Sequence, residues 1–186
     1  LMYLEPKMNQ ERKEKSNIIL IGMPGSGKST VGVILAKTLA KRFLDTDILL
    51  QNIEKRSLQD IVDTDGHMAL RAVEQRVLLS IQCRNHIVAT GGSAAYSDPA
   101  MMHLKKNGIF VFLHADLPAL NQRIHNYQTR GLAKRPDQSF QDLFNERLAL
   151  YEKYADITIA SSNMTQDQVC DAIIDELPNL SSQPAM

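Results

Sequence analysis

From Asn17 onward, short runs of apolar and β-branched residues alternate with longer stretches in which apolar side chains recur every three or four positions. The short runs predict strands at Asn17–Ile21, Arg42–Leu44, His86–Ala89, Ile109–Leu113 and Asp156–Ala160. Their consecutive apolar residues suit strands covered on both faces, as in a parallel sheet. The spaced positions predict amphipathic helices: Val31, Leu35 and Leu39 within Lys28–Lys41, and Leu70, Val73, Val77, Leu78 and Ile81 within Met68–Cys83. Strands that alternate with helices are the mark of βαβ units, so the expected fold class is α/β: five parallel strands in a three-layer α/β/α arrangement. Ser57 ahead of Asp60, Asp98 ahead of Pro99 and Ser139 ahead of Asp142 mark helix starts, because a short oxygen-bearing side chain caps exposed N–H groups and a nearby acid suits the positive helix end.

The 186 residues fit one domain, expected over residues 17–178. Residues 1–16 are charged and weakly apolar and read as disordered or foreign to the natural chain, with a natural start at Met8; residues 179–186 read as a C-terminal tail. A composition of 44% hydrophobic and 23% charged residues excludes a disordered, collagen-like or coiled-coil chain. Basic and acidic residues balance at 21 each, so no global positive field argues for nucleic acid. No apolar run reaches the ~18 residues of a membrane span, and the first residues lack a signal peptide's apolar core. Cys83 and Cys170 have no metal-ligand spacing and read as reduced core residues, which suits a cytoplasmic protein, expected to be a monomer without membrane partners.

Chemistry enters at Gly22-Met23-Pro24-Gly25-Ser26-Gly27-Lys28-Ser29-Thr30, which fits G-x-x-x-x-G-K-[ST] between a predicted strand and a predicted helix. Such a loop turns its N–H groups and the helix N-terminus onto phosphate oxygens, with Lys28 adding a cation and Ser29 a magnesium ligand. The expected ligands are therefore ATP or GTP with Mg2+. A phosphate loop alone does not separate a phosphotransferase from a hydrolysing switch or motor, so the second substrate must be sought elsewhere. Asp45 and Asp47 follow a short strand whose alternation puts both carboxylates on one side, one near the magnesium and one farther out; the bland reading is a helix cap. Arg71, in MALRAVE with Glu74, offers two parallel hydrogen bonds to a carboxylate, or else a salt bridge along its own helix. Gly91, Gly92 and Ser93 end the strand HIVAT, at the edge where α/β folds bind ligands. Tyr127–Gln138 is polar, carries three positive side chains, Gly131 and Pro136, and reads as a mobile lid over the nucleotide rather than a plain solvated connection.

Together these segments resemble the shikimate kinases, a P-loop family akin to the nucleoside monophosphate kinases, over essentially 17–177. GMPGSGKSTVG is similar to the family's phosphate loop, FLDTD to its acidic motif, ALRAVE to F-R-x-x-E and VATGGS to its T-G-G-G strand end. Arg123 in LNQRI resembles the arginine that stacks on adenine, Arg130 the lid arginine, and Arg147 in NERLALY the arginine of E-R-x-P-L-Y. The resemblance implies nucleotide binding by Gly25, Ser26, Gly27, Lys28, Ser29, Thr30 and Arg123, and magnesium held by Ser29 and Asp45. It implies Lys28, Asp47 and Arg130 as catalytic residues, and an acceptor held by Asp47, Arg71, Gly91, Gly92 and Arg147, with the two glycines offering backbone N–H groups. Arg147 otherwise reads as part of a solvated face, and Arg135 has no assigned role beyond that of a possible replacement for Arg130. Three positions depart from the family pattern: Ser93 for its third glycine, Gly131-Leu132-Ala133 for P-L-L, and Ala149 for proline. The implied activity is ATP-dependent phosphorylation of shikimate to shikimate 3-phosphate. A kinase for another polyhydroxy acid, gluconate-like, is the alternative, and a non-catalytic nucleotide-binding module is a third reading.

Overall fold

The computed structural model describes residues 15–124 and 131–181, with side chains up to residue 178. Five strands, β1 (Asn17–Ile21), β2 (Arg42–Asp45), β3 (His86–Ala89), β4 (Gly108–His114) and β5 (Ile157–Ala160), form one parallel sheet in the order β2-β3-β1-β4-β5. Among the described residues eight helices accompany them: α1 (Lys28–Thr38), α2 (Thr46–Glu54), α3 (Leu58–Asp65), α4 (His67–Ser80), α5 (Asp98–Lys105), α6 (Leu117–Arg123), α7 (Phe140–Tyr154) and α8 (Gln166–Ser181), with a 3-10 turn at Ala94–Tyr96.

The pleat of β1 explains the three layers. Ile18 and Leu20 face a core shared with Val31 and Leu35 of α1 and Ile173 of α8, whereas Ile19 and Ile21 face one shared with Leu78, Met101 and Tyr151 of α4, α5 and α7. Both faces of the central strand are thus buried, as the uninterrupted apolar run NIILI requires. A third, smaller core joins Leu50, Ile61, Leu70 and Val77 to Ala133, so the segment after residue 130 is packed onto α2–α4.

Several boundaries differ from the sequence reading. Helix α1 stops at Thr38 rather than Lys41 because Ala40 takes a left-handed conformation (φ 50°) and Lys41 N–H turns back to Ala36 O at 2.9 Å. Helix α4 stops at Ser80, where Ile81 becomes extended. Ser57 caps α3 and Ser139 forms a capping box with Asp142, as expected. Asp98, however, is the first helical residue of α5, and Ser97 is its cap, accepting from Ala100 N–H. Ser16 bonds to Asn107, and α8 continues three residues beyond residue 178. Cys83 and Cys170 are free thiols, half-buried and buried respectively. Among the described residues no helix is long and apolar enough to cross a membrane.

Candidate active site

The C-terminal ends of β1, β2 and β3 deliver three loops to one cavity of about 440 Å³, the edge at which parallel sheets bind ligands. From β1, the loop closes through Ser26 N–H to Met23 O at 3.1 Å, and α1 then begins at Lys28 with no side chain capping its first amides. Those N–H groups line the cavity with the positive end of the helix behind them, the arrangement that binds phosphate. Lys28 is buried, and its ammonium donates to Gly22 O at 2.8 Å and Met23 O at 2.9 Å. Gly25, Ser26, Gly27, Ser29 and Thr30 line the same wall.

At the end of β2 the acidic pair is arranged by a helix, not by strand alternation. Asp45 is both the last strand residue and the N-cap of α2, its Oδ1 accepting from Asp47 N–H at 3.0 Å and Ile48 N–H at 3.3 Å. Its other oxygen, Oδ2, accepts from Ser29 Oγ at 2.6 Å. The capping reading and the ligand reading of Asp45 are therefore compatible, one oxygen serving each. Asp47, in the first turn of α2, reaches the far side of the cavity.

Gly91 follows β3. A Cβ there would stand 2.2 Å from Glu74 Oε1 and 2.6 Å from Asp47 Oδ1, so the two carboxylates converge over its Cα and lie at most 4.8 Å apart, the two distances taken end to end. Only glycine leaves that space. Its N–H goes to Thr46 Oγ1 at 3.0 Å, which corrects the expectation that Gly91 offers this group to a ligand. A Cβ on Gly92 would be equally crowded, 2.7 Å from the Pro24 ring and 2.8 Å from Arg147 Nη1. Glu74 is buried and accepts a hydrogen bond from Ser93 Oγ. Burial, reinforced by the Asp47 charge, pushes its carboxyl up from 4.5 to about 7.

The arginines come from the helices. Arg147, on α7, is 1% exposed and donates to Ala133 O at 3.0 Å, so it is no part of a solvated face. Arg71, on α4, forms no salt bridge along its own helix; it reaches Ala133 O at 3.4 Å and Glu146 at 3.9 Å. Burial holds its guanidinium below the usual arginine range. The Nε groups of both arginines are buried without a hydrogen-bond partner among the described residues. Arg123, at the end of α6, donates to Ser161 O at 3.0 Å and Ser162 O at 2.9 Å and lines the cavity together with Ser161.

Of the expected lid, Tyr127–Gln138, the residues up to and including Arg130 lie outside the described residues; the remainder is fastened. Gly131 (φ 61°) gives its N–H to Gln59 Oε1 at 2.7 Å, and its Cα lies so close to α3 that a Cβ would be 2.5 Å from the Leu58 carbonyl carbon. Arg135 pairs with Glu146 at 3.3 Å, the same carboxylate that stands 3.9 Å from Arg71.

Sequence reasoning assigned nothing to Glu146, Tyr96, Tyr151 or the Ser93–Glu74 bond. Tyr151 donates to Gly92 O at 2.6 Å and steadies that strand end. Glu74 did leave a signal: it is a charged residue between Leu70 and Val77 on an otherwise apolar stripe, and burial there demands a polar partner.

A family model described as shikimate kinase matches residues 24–178. A shikimate kinase of Rippkaea orientalis is 37% identical over 168 residues, 88% of this chain and 89% of that protein. The solved shikimate kinase of Acinetobacter baumannii in complex with shikimate superposes with a TM-score of 0.83 at 28% identity, covering 92% of this chain and 97% of that one. For the shikimate kinase of Aquifex aeolicus the values are 0.75 and 31%, over 89% and 98%. With its phosphate loop, Asp47 and Arg147 lining one cavity, and its sequence matched to that family over most of its length, the chain belongs to the shikimate kinase family, phosphotransferases that use ATP and act on a hydroxyl group.

Proposed function

We propose that the protein transfers the γ-phosphoryl group of ATP to a ring hydroxyl of shikimate. One observation carries this reading: Arg71 and Arg147, from two different helices, meet at a single carbonyl on the wall of the cavity that also contains the phosphate loop and Asp47. Two guanidinium groups converging on a neutral oxygen are arranged for a carboxylate.

Nucleotide is held by Gly25–Thr30, with Arg123 against the adenine beside the Ser161–Ser162 loop. Lys28 exchanges its bonds to Gly22 O and Met23 O for phosphate oxygens. Asp47 orients the acceptor hydroxyl and takes its proton late, since phosphoryl transfer asks the protein mainly for positioning and charge stabilisation. Arg130 supplies the lid cation on this reading, on the strength of its place seven residues after Arg123. Arg71 and Arg147 clamp the carboxylate, and Gly91 and Gly92, bare of Cβ, let Asp47 and Arg147 close in on the strand end where the acceptor lies.

Ser29 Oγ and Asp45 Oδ2, 2.6 Å apart at the mouth of the phosphate loop, are a donor set that fits Mg2+. One hydroxyl and one carboxylate, with no cluster of three His, Cys, Asp or Glu among the described residues, suit a hard cation that takes its other ligands from phosphate and water. When bound, magnesium neutralises charge developing on the phosphates. Two free thiols are in keeping with a cytoplasmic location.

The test is turnover of purified protein with magnesium and ATP against shikimate, gluconate and other open-chain hydroxy acids. Shikimate should be preferred, because a rigid ring presents its carboxylate and hydroxyls at fixed separations that a preorganised site meets with little ordering entropy. Asp47→Asn should abolish most turnover while ATP still binds. No shikimate-dependent ADP release above background would overturn the reading.

A further inference from the structure

Two guanidinium groups that share one carbonyl repel each other, and Glu146, the carboxylate 3.9 Å from Arg71, would neutralise that arginine if it paired fully. The structure prevents both outcomes through one side chain. Tyr96, in the 3-10 turn after β3, lies with its ring centroid 3.4 Å from Arg71 Cζ and 5.4 Å from Arg147 Cζ. Its hydroxyl donates to Glu146 Oε1 at 2.5 Å, and this is the same oxygen that stands 3.9 Å from Arg71 Nη2. Glu146 Oε2 is occupied in turn by Gln138 Nε2 at 2.7 Å and Arg135 Nη1 at 3.3 Å. The carboxylate is thus saturated from the tyrosine and lid sides and does not form a close ion pair with Arg71.

We propose that Tyr96 is a positioning residue for acceptor recognition: its ring holds the Arg71 and Arg147 guanidinium groups side by side, and its hydroxyl diverts Glu146, so that both cations stay available to the acceptor's carboxylate. The chemistry suits the task. A guanidinium stacks on an aromatic ring through its flat face and keeps its in-plane N–H donors for a planar anion. The ring face attracts positive charge and leaves the in-plane donors of Arg71 to the ligand, while Arg147 is also steadied by hydrogen bonds to the Tyr96 and Tyr151 phenols. Burial and the hydrogen bond to Glu146 both hold the Tyr96 phenol above its usual range, so it remains a donor.

The inference rests on the proposed acceptor, and its test keeps the two separate. The KM for shikimate and the inhibition constant of shikimate methyl ester, which keeps the ring and hydroxyls but not the charge, are measured for wild type, Tyr96→Phe and Tyr96→Leu. Loss of the π face and hydroxyl in Tyr96→Leu should raise the shikimate KM about tenfold, from the usual strength of a partly desolvated cation–π contact. Tyr96→Phe keeps the ring and loses only the hydroxyl; it should raise KM by roughly threefold, the lower end of the usual worth of a hydrogen bond, and adding Glu146→Gln should recover most of this loss by removing the carboxylate that Tyr96 otherwise diverts. The ester constant, the ATP KM and the melting temperature should stay close to wild type. Equal losses for acid and ester, a parallel rise in ATP KM, or no rescue by Glu146→Gln would overturn the role of Tyr96 while leaving the shikimate reading standing. If the wild-type protein does not turn over shikimate at all, the acceptor assignment falls and this role falls with it.

Discussion

Replacing Glu74 by glutamine should stabilise the protein at pH 8 and change little at pH 5. In the folded chain the Glu74 carboxyl keeps its proton up to about pH 7, against 4.5 in the exposed state, because it is buried, faces Asp47 and is only partly relieved by the Ser93 hydrogen bond and the Arg147 and Lys28 charges. Between those two values the folded state binds more protons than the unfolded state. Stability therefore falls as pH rises from about 4.5, and the whole penalty is present above about 7. At about 1.4 kcal/mol per pKa unit this amounts to roughly 3 kcal/mol. Glutamine still accepts from Ser93 Oγ but carries no charge at any pH, so the penalty disappears. For a chain of this length roughly 3 kcal/mol corresponds to a melting temperature higher by about 6–12 °C at pH 8. The assay is thermal unfolding of both proteins from pH 5 to 8.5, without nucleotide, magnesium or acceptor. A gap between them that is flat with pH, or that opens toward acid, would refute the reasoning.

Arg71→Lys should raise the acceptor KM on the order of tenfold in steady-state assays and leave the ATP KM unchanged, because an ammonium cannot make two parallel hydrogen bonds to one carboxylate. Arg123→Ala should do the reverse, weakening ATP severalfold, by roughly 1 kcal/mol for the lost packing and hydrogen bonds, with no change in acceptor KM. Asp45→Asn should melt within about 2 °C of wild type, since asparagine caps helices as well as aspartate does, yet need more magnesium for half-maximal rate in a metal titration. Gly131→Ala puts a Cβ 2.5 Å from the Leu58 carbonyl carbon at φ 61°; it should release this segment from α3, seen as faster tryptic cleavage after Lys134, with only about 1–2 kcal/mol lost to global unfolding.

The strands, the phosphate loop and the nucleotide side were legible because their signals are local. NIILI fits a strand buried on both faces, and the loop that follows depends on backbone geometry that a short glycine-rich motif encodes by itself. Asp45 and Asp47 were visible as a pair, but the reason for their arrangement was not. Strand alternation and a helix starting at Thr46 both place the carboxylates near each other, and only the structure shows that Asp45 Oδ1 caps α2 while Oδ2 meets Ser29. The acceptor side was the least legible. Tyr96 meets Arg71, Arg147 and Glu146 from 25 or more residues away in the chain, and Ser93 acts through a single hydroxyl on Glu74; neither hydrophobic period nor spacing carries such information. Gly91 illustrates the same limit: the sequence shows a glycine at a strand end, whereas its N–H is spent on Thr46 and its value is the missing Cβ between two carboxylates.

The carbonyl of Ala133, shared by Arg71 and Arg147, has a practical consequence for anyone who handles this protein. A neutral oxygen between two guanidinium groups leaves a local surplus of positive charge, and the smallest anion that fits will collect there. Acetate, citrate or succinate used as a buffer would occupy the acceptor's end of the cavity as a counter-ion and inflate the acceptor KM in proportion to its concentration, while a zwitterionic sulfonate buffer too bulky to enter would not. Rates measured in the two kinds of solution at equal pH and ionic strength should therefore diverge at low acceptor and converge at saturation.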